Sequence, residues 1–444
     1  MNRPTVGFAG MTHLGLVSAT AIASKGFPTI CYDPDRTLIA ALERGVLPVV
    51  EPGLPELLSA NGSHQRFSHQ REALSACDIV YIATDVPTDD QGSSDLAGIC
   101  PLIDDVAGAM GSHSIMVILS QVPPGFTRGI RALPLSRLYY QVETLIFGRA
   151  VERATQPERY IVGCLAPEKP LDPRFADLLG AFGCPILPMR YESAELAKIS
   201  INMCLVASVT VANTLAELCE HIGADWSEIV PALQLDRRIG PYSYLKPGLG
   251  ISGGNLERDL ATVERLAAEH KTDASVVQAW TKNSRHRKDW AARTIRTALL
   301  DSRPHATIAV WGLAYKENTH SIKNSPSIAT IMQLKGIKVR AHDPSVSDEA
   351  VKHLGIERVD DPLAAARGAD GLLILTPWAE YRAIRPEDIA GALSGRIVID
   401  PYSILDPAGM QRSRLIHYTL GRPVAHSACC STKILHLRCP NVSS

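Results

Sequence analysis

The chain has 444 residues, with 45 Lys and Arg against 46 Asp and Glu, so its formal charge is −1. That length corresponds to about three domains, and near-neutrality removes nucleic acid and anionic membrane as default partners. With 45% hydrophobic and 20% charged residues the composition is that of a folded protein, not a disordered one.

No run of residues approaches the ~18 apolar positions of a membrane span, and no leader is expected before the first strand. The ten cysteines are spaced as neither a disulfide framework nor a zinc site. A cytoplasmic protein with reduced thiols is therefore expected, with no metal centre.

Residues 5–9 read as a buried strand, followed by Gly7-Phe8-Ala9-Gly10-Met11-Thr12-His13-Leu14-Gly15 and a helix to residue 23. A dinucleotide turn needs a tight bend, close backbone approach to a pyrophosphate and a helix N-terminus aimed at it. Gly10 and Gly15 fit the first and third glycines of G-x-G-x-x-G, while Thr12 stands in the middle glycine's place. A second strand at 29–32 ends at Asp33, 23 positions after Gly10. A carboxylate there suits the ribose hydroxyls and repels a 2′-phosphate, which favours NAD over NADP. No Arg directly follows this strand; Arg36 comes three residues on. Further strands are expected at 78–83 and 115–120, completing a doubly wound domain over 1–190.

From Glu192 up to about Gly223 the pattern is one long helix with no Pro or Gly before that glycine, and it continues with interruptions to 301. A second α/β unit follows, with strands at 307–311, 339–341, 371–375 and 396–400. The expected fold is α/β: two Rossmann-like doubly wound domains, 1–190 and 302–423, joined by an all-helical central domain at 191–301. A tail at 424–444 contains His426, Cys429, Cys430 and Cys439. It reads as a loose extension, with metal binding as the lesser alternative.

Several short motifs occur in order: Glu51-Pro52-Gly53-Leu54; Gly92-Ser93-Ser94-Asp95-Leu96; Ser120-Gln121-Val122-Pro123-Pro124-Gly125; Glu143 with Gly148-Arg149-Ala150; Glu195-Leu196-Ala197-Lys198 with Asn202; Arg238-Ile239-Gly240; Pro247-Gly248-Leu249-Gly250; Gly312-Leu313-Ala314-Tyr315-Lys316; and Ser325-Pro326. Together they make the chain resemble the UDP-glucose/GDP-mannose dehydrogenases over residues 3–423. The resemblance implies an N-terminal NAD domain, a helical core that pairs two copies as a homodimer, and a C-terminal domain for a UDP- or GDP-linked sugar. It places Gly10, Thr12, Leu14, Gly15, Asp33, Val86 and Gln121 at the cofactor. Arg238, Tyr244, Gly250 and Lys316 fall at the sugar nucleotide, and Lys198, Asn202, Asp259 and Glu143 at the reacting carbon. Lys198 and Asn202, four apart, share a helix face. By resemblance they hold the reacting oxygen and a water, and a lysine beside a forming alkoxide stabilises charge and relays a proton.

Members of that family usually oxidise C6 twice, from alcohol to aldehyde to carboxylate. An aldehyde carbon must gain a nucleophile before it can lose a second hydride, and the family uses a cysteine thiolate in G-x-G-F-G-G-S-C-F-P-K-D. Here the stretch 248–259 aligns without a gap and Asn255 occupies the cysteine slot. A carboxamide only donates and accepts hydrogen bonds. Other departures accompany it. Gln121 stands for Thr and Val142 for Pro. His320, Ser321 and Lys323 stand in T-D-D-x-R, and Asp400-Pro401-Tyr402 replaces D-G-R, which removes an arginine of the sugar-nucleotide site. Simple decay would not spare Lys198, Asn202, Asp259 and Lys316 together.

The resulting expectation is a two-electron oxidation that stops at an aldehyde, or at a ketone on a chain-extended sugar, as in relatives of antibiotic amino-sugar pathways such as the lincosamide octose. The alternatives are NAD recycling with epimerisation, four-electron oxidation to a uronic acid through another nucleophile, and a silent nucleotide-sugar binder.

Overall fold

A computed structural model describes residues 3–87, 94–251, 254–322 and 325–424. Gly92, Ser93, Lys323 and the tail residues His426, Cys429, Cys430 and Cys439 lie outside them. The chain forms two compact units: residues 1–204 with 254–273, and residues 205–253 with 274–444.

The first unit is built on eight strands: β1 (Val6–Ala9), β2 (Thr29–Tyr32), β3 (Gln65–Ser68), β4 (Ile79–Ile82), β5 (Ile115–Ile118), β6 (Leu138–Gln141), β7 (Tyr160–Cys164) and β8 (Ile186–Arg190). Their spatial order is β3-β2-β1-β4-β5-β6-β7-β8. All neighbours are parallel except β6 and β7. β1, β2, β4 and β5 are buried at every position, the pattern of parallel strands covered on both faces. Phe8 of β1 stacks on Tyr81 of β4 with centroids 4.7 Å apart. The order reverses between β1 and β4, so a crevice opens at the C-terminal ends of these strands.

β3, β6, β7 and β8 add to the strands expected from sequence. β8 contains Pro188 and is half exposed, so its apolar signal is that of an edge strand. The helix His13–Ser24 has ten of its twelve residues buried, and Gly26 with φ +80° lies just past its end.

The second unit carries β9 (Thr307–Trp311), β10 (Lys338–His342), β11 (Glu357–Arg358), β12 (Gly371–Ile374), β13 (Ile397–Ile399) and β14 (Ile416–Tyr418), ordered β11-β10-β9-β12-β13-β14 and all parallel. Between the sheets in sequence lie only helices and loops, including Tyr191–Ile222, Trp226–Leu235, Gly254–His270 and Ser275–Lys288. The architecture is thus mixed α/β, with two Rossmann-like sheets and a central helical region.

One expectation needs correction. The helix Tyr191–Ile222 spans 32 residues and has a window of 18 with mean hydropathy 1.6, long and apolar enough by composition to cross a membrane. Ser, Thr and Asn interrupt every apolar run in it without lowering the average much. Its buried polar residues have partners inside the fold. Glu195 accepts from the N–H groups of Gly125 and Thr127, Asn202 donates to Asp259, and Asn213 accepts from the N–H of Gly248.

Candidate active site

The first turn has the features a dinucleotide needs. Gly10 takes φ +97°, and a Cβ there would lie 3.0 Å from Thr84. A Cβ on Gly15 would lie 1.8 Å from the carbonyl oxygen of Gly10, so only glycine lets the helix approach the strand this closely. Thr12 is extended, with φ −76°, and does not use its side chain to cap the helix. Its hydroxyl accepts from the Asp85 N–H at 3.0 Å and lies 3.4 Å from the Ala83 carbonyl oxygen. The threonine in the middle glycine's place is therefore turned towards the loop after β4. The Leu14 side chain, expected at the cofactor, is packed in the core instead.

Asp33 at the end of β2 accepts from the Met11 N–H through Oδ2 at 2.8 Å and from the Asp35 N–H through Oδ1 at 3.0 Å. Each oxygen keeps a lone pair for a ribose hydroxyl, and the residue is only partly buried. The second unit repeats the arrangement in closed form. Gly312 has φ +95°, and Asp343 Oδ2 accepts from Leu313 N–H, Ala314 N–H and Trp378 Nε1. Asp343 is fully buried and consumed by the protein. The open carboxylate thus belongs to the first unit.

The helix behind the first turn is tied down through two residues that sequence reasoning gave no role. His13 is buried, its Nε2 lies 3.0 Å from Glu51 Oε2, and its ring stacks on Phe147 at 4.3 Å. Glu51 also accepts from the N–H groups of Gly148 at 3.0 Å and Ala150 at 2.7 Å. Burial pushes the Glu51 carboxyl up, but these donors outweigh it and hold it below the ordinary range. The pair sets the loop that carries Glu143.

Two polar clusters then form within the first unit. Lys198 Nζ lies 3.0 Å from Glu143 Oε2, and both side chains are largely buried. Glu143 Oε1 accepts from the Leu145 N–H at 2.5 Å. One turn along the same helix, Asn202 Nδ2 donates to Asp259 Oδ2 at 2.5 Å, and Gln121 Nε2 donates to Asp259 Oδ1 at 2.7 Å. Gln121 Oε1 accepts from Arg258 Nη2. Asn202, Arg258 and Asp259 are 7%, 4% and 2% exposed. A carboxylate only accepts, so both amides must turn their nitrogens to Asp259, which leaves Asn202 Oδ1 as an acceptor. Burial raises the carboxyl of Glu195, one turn before Lys198, above its ordinary range despite the N–H groups of Thr127 and Gly125. Burial likewise raises the Tyr140 phenol, with the charges of Glu195, Glu143 and Asp259 adding to it.

Asn255 stands apart from this network. It is exposed, one residue into the helix Gly254–His270. Gln121, expected at the cofactor, spends its amide on Arg258 and Asp259, and Val86 accepts from Arg258 Nη1 at 3.3 Å. Arg258 itself was missed. The adjacent Arg258-Asp259 pair in the gap-free 248–259 stretch was its available signal.

The four residues expected at the sugar nucleotide lie in the second unit. Arg238 is 88% exposed in its side chain and paired with Asp236. Tyr244 lines an apolar cavity of about 500 Å³ with Trp226, Val230 and Leu245. Gly250 has φ +76°, and a Cβ there would meet the Ser284 carbonyl oxygen at 2.5 Å. Lys316 is exposed on the turn after β9, with Nζ 5.5 Å from the Tyr315 ring centroid. Tyr402, in the place of the absent arginine, donates its hydroxyl to the Leu375 carbonyl at 3.1 Å.

Comparison with known proteins matches this chain to three domains of one family, the UDP-glucose/GDP-mannose dehydrogenases. The NAD binding domain matches residues 4–170, the central domain 192–285 and the UDP binding domain 309–407. The chain is 29% identical to UDP-glucose 6-dehydrogenase TuaD of Bacillus subtilis over 429 residues, covering 93% of this chain and 92% of that one. It is 28% identical to the UDP-glucose 6-dehydrogenase of Pseudomonas aeruginosa, covering 94% and 97%. Among solved structures, a UDP-glucose dehydrogenase from Pyrobaculum islandicum superposes with TM-score 0.79 at 25% identity, covering 95% of this chain and 98% of that one. A UDP-D-ManNAc dehydrogenase from Pyrococcus horikoshii shares the fold at TM-score 0.79 and 23% identity, covering 94% and 99%.

Proposed function

The chain belongs to the UDP-glucose/GDP-mannose dehydrogenase family, NAD-dependent oxidoreductases acting on a sugar CH–OH, and from that membership we propose that it oxidises one alcohol carbon of a nucleotide-sugar to a carbonyl and stops there. The balance is one alcohol and one NAD⁺ giving one carbonyl, one NADH and one proton. The turn at Gly10 and Gly15 with the open carboxylate of Asp33 fits NAD, which supplies the hydride acceptor when bound. Lys198 donates to the oxygen that is losing its proton and stabilises the charge developing there. Glu143, 3.0 Å from Lys198, is placed to take the proton on through it. Asn202, its amide nitrogen held by Asp259, presents Oδ1 to a water beside the reacting oxygen and leaves the hydroxyl proton to Lys198.

The observation that carries the stop is Asn255 in the nucleophile's place, together with the state of the seven cysteines among the described residues. Burial pushes Cys31 and Cys77 up to about 12 and raises Cys164, Cys184 and Cys219, so these remain thiols at neutral pH. Cys204 lies two residues past Asn202, about 200° round the helix, and is exposed. Cys100 is exposed on the helix Ile99–Ala109.

We further propose that the protein works as a homodimer paired through the helix Tyr191–Ile222. Val211, Leu215, Leu218 and Ile222 are 41–64% exposed along it at spacings of four, three and four, the stripe of a helix that buries against another.

The test is NADH stoichiometry with purified protein, NAD and a panel of UDP- and GDP-hexoses plus a GDP-octose, with product mass spectrometry. One NADH and a loss of two hydrogens are expected. Two NADH and a carboxylate would overturn the reading, and an isomer without NADH would replace it with epimerisation.

A further inference from the structure

We propose that Arg258 and Gln121 act as one positioning unit that joins the cofactor edge of the first sheet to the Asp259–Asn202 pair. Arg258 is buried, a buried guanidinium is costly unless its donors find acceptors, and two of its three nitrogens have them. Its Nη1 reaches the carbonyl of Val86 in the loop after β4, at 3.3 Å. Its Nη2 reaches Gln121 Oε1 in the loop after β5. Those two loops form the C-terminal edge of adjacent parallel strands, where an open α/β sheet binds its ligand.

From Gln121 the chain of bonds runs on. Nε2 donates to Asp259 Oδ1 at 2.7 Å, and Asp259 Oδ2 fixes the amide of Asn202. Each link has one chemically allowed direction: the guanidinium donates to the Gln121 amide oxygen, and the amide nitrogens of Gln121 and Asn202 both donate to the Asp259 carboxylate. No amide can flip without setting two donors or two acceptors face to face. Arg258 Nε lies 3.6 Å from Asp259 Oδ1 and makes no hydrogen bond, so the link from the edge loops to Asp259 runs through Gln121, and a shift of its loop changes how Asp259 holds Asn202.

A shorter residue at 121 would not span this distance, and a lysine at 258 could not fork between Val86 and Gln121. The two side chains therefore act together, and occupancy of the cofactor edge is felt at Asn202. This inference rests on the cofactor site and not on the sugar that is oxidised.

Calorimetric titration of NADH into the full chain tests it without any sugar substrate. The variants are Gln121→Met, Arg258→Lys, the double variant and Asp259→Asn, each with its melting temperature. The expected result is that each single change weakens NADH about tenfold and that the double is no weaker than the worse single within about twofold, the signature of a coupled pair. Asp259→Asn is expected to weaken NADH at least about threefold from across the network. Unchanged NADH affinity in either single variant overturns the proposal, whatever happens to the melting temperature. Effects that multiply in the double variant, or an Asp259→Asn titration indistinguishable from wild type, also overturn it. Should Gln121→Met fail to fold, Gln121→Asn keeps the amide one methylene too short and is read by the same criteria.

Discussion

Lys198 and Glu143 are held as a pair, each largely withdrawn from water. An ammonium so placed is worth more to a forming alkoxide than it would be at the surface, because little solvent screens it. Lys198→Ala is expected to lower kcat about a thousandfold. The NADH dissociation constant should stay within about twofold, since Lys198 is not part of the dinucleotide turn. Stopped-flow turnover and NADH titration on the same preparation separate the two effects. Parallel losses in both would place Lys198 in the cofactor site instead.

At the scale of elements, the strand–turn–helix at β1 depends on an absence of atoms. A methyl group on Gly15 would lie 1.8 Å from the Gly10 carbonyl oxygen, and backbone on both sides cannot give. Gly15→Ala is expected to cost about 1–3 kcal/mol or more and to weaken NADH by about two orders of magnitude, read by thermal melts and titration. The helix start is secured separately by Glu51, which gathers His13 and the N–H groups of Gly148 and Ala150. Glu51→Gln turns an amide nitrogen towards these donors and should cost about 1.5–3 kcal/mol at pH 7. The sign with pH follows from the lowered carboxyl. Its stabilising contribution is complete above the ordinary glutamate range near 4.3 and is lost as the pH falls through the folded-state value below it. Melting curves from pH 6 to 3 should therefore fall more steeply for wild type than for Glu51→Gln.

At the scale of the whole molecule, the exposed stripe Val211, Leu215, Leu218 and Ile222 is a stronger apolar surface than scattered surface residues give. In the proposed dimer, Leu218→Glu buries a charge against a second apolar helix. The dimer is expected to weaken at least tenfold, with sedimentation shifting towards the monomer. Unchanged sedimentation would remove this helix as the pairing surface.

Much of this was already present in the linear chain, and the reasons differ by feature. The central strands β1, β2, β4, β5, β9, β12 and β13 are short, mainly apolar runs because both faces are covered, so composition alone marks them. β3, β8, β11 and β14 lie towards or at the sheet edges, where half-exposed strands lose that mark. Gly10, Gly15 and Asp33 were legible because their roles are local: a backbone angle, a close approach and a strand end. The 32-residue helix was legible as a helix, but its mean apolarity was hidden by interspersed Ser, Thr and Asn.

The reacting constellation is different in kind. The order of motifs determined the family, and the residue at 255 determined that the usual thiol is missing. Only the tertiary structure decided that Gln121, Arg258, Asp259 and Asn202 share one directional network, that the Thr12 hydroxyl bonds to the loop after β4, and that Asp33 is open where Asp343 is closed. Each of these joins atoms from elements far apart in sequence. Hydrogen-bond direction and burial exist only once those elements are brought together, so no spacing along the chain can encode them by itself.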